Sequence, residues 1–317
     1  MGYVTEDDMK SFLGKSLSSV NSNKINGTLA EIDLRDYLKS LGYGDRISPG
    51  GWIFRTVRHG GTGRFASSHV ALFPETVQAG KDYQSPAEAP SIPPSLQAVA
   101  YSLRQIGVES YYCVPYFPRS NDPEKVEWTL FEMASPSPKA KNLSSAMQNF
   151  PSRTSRYNFL RWHSDPSVIP RSSLPVEFTK ELLRVSVSGL YMAEVSDIDG
   201  VFWGTNIAYP LEIKEKTMAF DKRIGDYFGI DVGPFAKLAF YAARRGNMHS
   251  LFIVRQIRDT ARRDLVDWKF IEFEKIALYA SWVFQAGGRN MQGGSSAVIK
   301  IPADRFDTLD GEALRSL

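Results

Sequence analysis

Apolar and polar positions along this chain follow two periods, and the switches between them predict its elements. Asp7–Leu17 and Thr28–Leu41 have helical spacing. In the second, Leu29, Ile32, Leu34, Leu38 and Leu41 form a broad apolar side that Gly42 ends. Gly51–Val57 and Ser68–Phe73 read as strands, Leu96–Ile106 as a helix, and Glu109–Phe117 with Val126–Met133 as a long hairpin. Further along, Val176–Leu183 reads as a short helix and Leu190–Val195 as a strand. Asp199–Trp203 and Leu211–Lys216 read as strands joined by a tight turn. Phe235–Arg245 is an expected helix, with Asp231 as its cap and Pro234 in its first turn. Ser250–Gln256 reads as a buried strand, Leu265–Ala280 as an amphipathic helix and Ala297–Ile301 as a closing strand. The expected class is α/β with α+β mixing: a central mixed sheet flanked by helices, preceded by an N-terminal α+β module.

Proline and polar runs divide the pattern. Tyr83–Ser95 holds Pro86, Pro90, Pro93 and Pro94, Ser135–Ser145 is polar, and Phe150–Ser173 carries Pro151, Pro166 and Pro170. With 317 residues, the chain is expected to form two domains, residues 1–150 and 151–317. Cys113 is the single cysteine, which excludes an intrachain disulfide framework and a cysteine zinc ribbon. The sequence lacks an apolar run of about 18 residues, so a membrane partner is not expected. The opening MGYVTEDDMK has no apolar core of a secretory signal, so a cytoplasmic location is expected.

The most informative segment is Glu194–Lys216, EVSDIDGVFWGTNIAYPLEIKEK. A hairpin turn centred on Thr205 and Asn206 sets Trp203 opposite Ala208, Val201 opposite Pro210 and Asp199 opposite Glu212. Opposed Cβ atoms then stand about 4.5–5.5 Å apart. Strand parity adds Lys214 to the face of Glu212. Two like charges in that position repel unless a cation lies between them. A hard divalent cation such as Mg²⁺, bound by carboxylates and completed by water or phosphate, meets that need. The Ile213 carbonyl is a further oxygen in reach. Asp197 has the same parity as Asp199 and competes with it as the first acid; Asp199 is preferred because it faces Glu212.

At these positions the chain resembles the PD-(D/E)xK nuclease superfamily, to which type II restriction endonucleases belong. Asp199, ahead of Gly200 at the start of a strand, matches the family's first acid, and Glu212-Ile213-Lys214 matches its (D/E)xK. Ile198 stands where the family often has proline. The resemblance covers about residues 174–280 and implies a restriction-endonuclease-like core. It also implies metal held by Asp199, Glu212 and the Ile213 carbonyl, and catalysis by Asp199, Glu212 and Lys214. An additional acid before the hairpin would be Glu177, Glu181 or Glu31. The activity implied by the resemblance is that of a type II site-specific deoxyribonuclease, acting on double-stranded DNA as a homodimer. The alternatives are a structure-specific or repair nuclease and a non-catalytic DNA-binding protein on a nuclease-like scaffold.

Charge is informative only locally. The chain's net charge is +3, but Lys237–Arg263 holds seven basic residues and one acid, Asp259. That is the pattern of a solvated basic helix face or of a surface facing polyanion phosphates. Two glycine-rich stretches add candidate DNA contacts. Arg55, Arg58 and Arg64 lie in RTVRHGGTGR, which lacks the Gly-Lys-Ser/Thr ending of a phosphate-binding loop. Arg289, Asn290 and Gln292, in GGRNMQGG, are side chains of the kind that read guanine and adenine edges. Gln256 is a candidate phosphate contact at a strand end. The aromatic set Tyr111, Tyr112, Tyr116 and Phe117 reads as hairpin packing.

Overall fold

A computed structural model describes residues 3–17, 23–56, 68–83, 90–118, 122–135, 137–155, 165–243, 247–281, 285–286 and 297–317. In chain order its elements begin with α1 (Glu6–Ser16), α2 (Asn23–Ser40), β1 (Ile47–Ser48), β2 (Gly51–Thr56), β3 (His69–Pro74) and α3 (Pro94–Gln105). They continue with β4 (Glu109–Tyr116), β5 (Glu127–Glu132), β6 (Ala140–Asn142), α4 (Leu143–Ala146), α5 (Leu174–Leu190) and β7 (Ala193–Ile198). The second half holds β8 (Gly200–Trp203), β9 (Ala208–Lys216), β10 (Ala219–Asp221), β11 (Gly225–Asp231), α6 (Val232–Ala242) and β12 (Leu251–Ile257). The chain closes with β13 (Leu265–Glu272), α7 (Phe273–Tyr279), β14 (Gln285–Ala286), β15 (Ala297–Pro302), β16 (Asp307–Thr308) and α8 (Gly311–Ser316). No described helix is long and apolar enough to cross a membrane. The protein is a mixed α/β chain of several sheets and short helices.

Two compact units form, Met1–Leu29 with Pro49–Ile198, and Ala30–Ser48 with Asp199–Leu317. The first is a six-stranded sheet in the order β6-β5-β4-β3-β2-β7. β3 and β4 run parallel, with α3 as the crossover between them, and the other neighbours are antiparallel. Tyr111, Tyr112 and Phe117 are buried in this unit, as core packing requires. Helix α5 is tied to the sheet by the Trp52 indole N–H, which donates to the Lys180 carbonyl at 2.8 Å. It meets α1 through an edge-on Phe12–Phe178 pair with centroids 5.4 Å apart.

The second unit is built round the sheet β1-β8-β9-β12-β13-β16, in which β9 and β12 are parallel and all other neighbours antiparallel. Its central strands are buried on both faces, so they carry apolar residues at odd and even positions alike. Leu211, Ile213, Leu251, Ile253, Trp268 and Phe270 pack with Leu34 and Leu38 of α2 and Leu314 of α8. On the other face Phe252, Val254 and Ile271 pack with Leu238 of α6, Phe228 and Ile230 of β11 and Ile299 and Ile301 of β15. A second, antiparallel sheet, β10-β11-β15-β14, completes that layer.

Leu265–Ala280 is not one helix. Its first eight residues form β13, and only Phe273–Tyr279 is helical. The run LVDWKFIE is rich in aromatic and β-branched residues, and β12 offers it a full-length antiparallel partner from Leu251↔Glu272 to Ile257↔Leu265. The sequence pattern also omits β11. Its Phe228 and Ile230 alternate with more exposed Tyr227 and Gly229, a period of two interrupted by glycine. Helix α5 runs on to Leu190, well past the short span read from the sequence, and β7 starts correspondingly later.

Phe252 is fully buried at the centre of β12 and meets Phe306 at 5.9 Å. Phe252→Ala is expected to destabilise the protein by about 3–5 kcal/mol through lost burial and the cavity left behind. A lower urea midpoint at unchanged m-value checks this.

Candidate active site

The site begins with the β8–β9 hairpin. Its turn closes through the Gly204 N–H, which donates to the Ile207 carbonyl at 2.9 Å, with Thr205 and Asn206 in the middle. The pairs are Trp203↔Ala208, Phe202↔Tyr209, Val201↔Pro210 and Gly200↔Leu211. That is the register expected from the turn chemistry, and Asp199 and Glu212 are the residues just beyond its last pair. Strand β1 also pairs with β8, through Ser48↔Val201. A Cβ on Gly200 would meet the Ser48 carbonyl oxygen at 3.3 Å and Leu211 Cδ1 at 3.4 Å, which accounts for glycine after the acid.

The ladder between β8 and β9 stops at Gly200, and a side chain continues it. The Ile213 N–H donates to Asp199 Oδ2 at 2.7 Å. A strand residue directs its N–H and C=O to the same edge, so the Ile213 carbonyl shares the Asp199 edge of β9. Asp199 is 3% exposed and Glu212 is 1% exposed. Two ammonium groups compensate Glu212: Lys214 Nζ lies 2.6 Å from Oε1 and Lys237 Nζ lies 2.7 Å from Oε2. Lys214 arrives by strand parity. Lys237 arrives from α6, which packs on the same face of the sheet through Leu238.

Lys216 has the same parity as Glu212 and Lys214 and is half-buried. Burial lowers the pKa of its amine; attraction to Asp231 opposes the shift, repulsion from Lys214 adds to it, and attraction to Glu212 opposes it. Asp231 occupies the N-cap position of α6 without a side-chain capping bond. The expected cap is therefore right in place, but this carboxylate does not supply the helix with its usual bond. Gln256 is the register partner of Lys216 across β9–β12.

Asp199, Glu212, Ile213 and Lys214 are thus brought together. Lys216 and Lys237 join them and are missed by sequence reasoning, and so does Asp231, which the sequence offers first as a helix cap and also as a candidate neighbour of the metal. Strand parity alone pointed to Lys216. For Lys237 no local pattern existed, since its partner lies across a crossover of more than twenty residues. Asp197 belongs to the first unit, where it pairs with Trp52 in β7–β2 register and acts on the Lys24 amine. Glu181 sits in that unit too, bonded to Lys24 Nζ at 3.0 Å and Arg184 Nη2 at 2.7 Å. Burial pushes its carboxyl upward, but these two cations outweigh it and the net shift is downward. Glu177 is buried on the same helix, and Glu31 lies on the part of α2 assigned to the second unit.

The candidate DNA contacts fare differently. Arg55 forms a cross-strand ion pair with Glu194, both exposed. Arg58, Arg64, Arg289, Asn290 and Gln292 lie outside the described residues. Much of the basic Lys237–Arg263 run is neutralised within the fold. Lys237 serves Glu212, Arg255 meets Asp33 at 2.8 Å and Glu215 at 2.9 Å, and Arg263 meets Glu215 at 2.8 Å. Arg258 and Arg262 are exposed.

Among the described residues no group of three or more His, Cys, Asp or Glu side chains forms a metal shell. The set formed here is two carboxylates and a carbonyl. All are oxygen donors, as Mg²⁺ prefers, and Mg²⁺ leaves its other positions to water and phosphate. By donor chemistry the residues present fit a hard divalent cation, which would have to compete with the two ammonium groups now at Glu212. Comparison with protein-family models, curated proteins and solved structures finds no match to this chain.

Because the folded-state pKa of Lys216 is lowered, the unfolded chain binds the extra proton between that value and 10.5. Stability therefore rises with pH across that window. Lys216→Met is expected to raise stability at neutral pH, with the gain over the wild type shrinking toward pH 10.5. Chemical denaturation of both proteins at several pH values checks it.

Proposed function

We propose that this chain is a Mg²⁺-dependent endonuclease that hydrolyses phosphodiester bonds of double-stranded DNA, most simply a type II restriction enzyme with a PD-(D/E)xK-like core. The observation that carries this reading is a pair of buried carboxylates at the end of one hairpin: Asp199 accepts from the Ile213 N–H, and the neighbouring Glu212 is ion-paired with Lys214. Helix α6 and parallel strand β12 come after the motif in the order the resemblance implies.

Asp199 and Glu212 hold the cation, with the Ile213 carbonyl as a third oxygen. The Ile213 N–H fixes the Asp199 carboxylate, so this ligand is oriented before anything binds. When bound, Mg²⁺ lowers the pKa of the attacking water and offsets charge on the phosphate. Lys214 is bonded to a buried acid yet half-buried itself, so its amine reaches from ligand to solvent. There it orients the water and favours negative charge on the phosphate oxygens. The products are a 5′-phosphate and a 3′-hydroxyl. The first unit, with the Arg55–Arg64 stretch, and the glycine-rich segment 287–294 read the DNA. A homodimer supplies one site per strand of a two-fold duplex.

Asp199→Ala and Lys214→Ala are each expected to lower plasmid cleavage by about 10²-fold or more. Chelation of Mg²⁺ should abolish it. Metal-dependent cutting that survives both substitutions overturns the assignment. A single mapped cut sequence selects restriction, preference for branches or mismatches selects repair, and salt-dependent binding without cleavage selects a non-catalytic DNA-binding protein.

A further inference from the structure

Lys214 and Lys237 divide the Glu212 carboxylate between them, one oxygen each, but they reach it by different routes. Lys214 stands two residues along the same strand, so the backbone of β9 fixes it. Lys237 reaches over from α6, on the far side of the β10–β11 excursion. Its contact is the one the fold can release without disturbing β9, because a lysine head rides on a flexible four-carbon stem.

Among the described residues, formal charges of both signs already surround Glu212. Asp199, Glu212 and Asp231 contribute three negative charges, and Lys214, Lys216 and Lys237 contribute three positive ones. A divalent cation bound to Glu212 adds two more positive charges beside an ammonium group already seated 2.7 Å from the same carboxylate. Mg²⁺ needs its oxygen at about 2.0–2.1 Å. A cation at that distance and the Lys237 ammonium on the same oxygen repel each other strongly at such separations.

Resting on the proposed metal-dependent reading, we propose that Lys237 is a built-in counter-ion which occupies Glu212 Oε2 in the metal-free site and is displaced when the divalent cation binds. Metal affinity is then set by competition with this amine. The ammonium holds the buried carboxylate in place while the site is empty of metal.

Direct Mn²⁺ titration followed by electron paramagnetic resonance reads this without any cleavage assay. Lys237→Gln and Lys237→Met should each bind Mn²⁺ at least about tenfold more tightly than the wild type. Lys237→Arg keeps the competing charge and should stay near the wild-type affinity. Glu212→Gln should remove the binding. Wild-type binding that needs Glu212, combined with equal or weaker binding in both neutral Lys237 variants, overturns the counter-ion role and leaves the nuclease reading standing. Equal tightening in Lys237→Arg assigns the effect to a loosened helix and likewise overturns it. Absence of Glu212-dependent binding in every variant removes the metal site itself, and the counter-ion with it.

Discussion

An ionised carboxylate removed from water must be met by positive charge, or it takes up a proton. Glu212, 1% exposed in the middle of a parallel–antiparallel sheet, carries that constraint for the second unit. Described groups from three elements answer to the requirement. The strand supplies Lys214, the crossover helix supplies Lys237, and β11 ends in Asp231, which balances the further amine of Lys216. Apolar packing brings these groups together: Phe252, Val254, Leu238 and Ile230 lie in one layer on the same face of the sheet. The buried acid therefore adds a constraint on α6 beside its hydrophobic contacts.

Much of this arrangement was legible in the sequence where its causes are local. The turn residues Thr205 and Asn206 and a period of two determine the hairpin register, from Trp203↔Ala208 to Gly200↔Leu211. The bond from the Ile213 N–H to Asp199 was not legible, because it depends on where β8 starts. Lys237 was not legible either: its neighbours Phe235 and Leu238 mark it as one more polar position on a helix. The basic run Lys237–Arg263 suggests an exposed field, yet Asp33 and Glu215, far from it in sequence, neutralise Arg255 and Arg263.

The same distinction explains the fold-level differences. β12 was recognised as a buried strand because its run of apolar residues is short and continuous. β13 was read as helix because Leu265, Trp268 and Ile271 also satisfy a helical spacing, and only the presence of β12 as partner decides between the two. β11 lost its alternation at Gly229, where a Cβ would meet Val298 Cγ1 at 2.7 Å across the β11–β15 pair. The Val298 side chain takes the space of that Cβ, so the residue that fits there also hides the pattern.

Strand β9 carries charge on both faces in strict alternation. Glu212, Lys214 and Lys216 look toward α6, and Glu215 looks the opposite way, to Arg255 and Arg263. A slip of one position against β12 would deliver Glu212 to the wrong set of neighbours and strand Ile213 among amines. Mispaired intermediates would thus hold stranded ions in an oily layer, and the chain discriminates against them while it is still folding. The charged residues of the proposed site also act as the strand's alignment key.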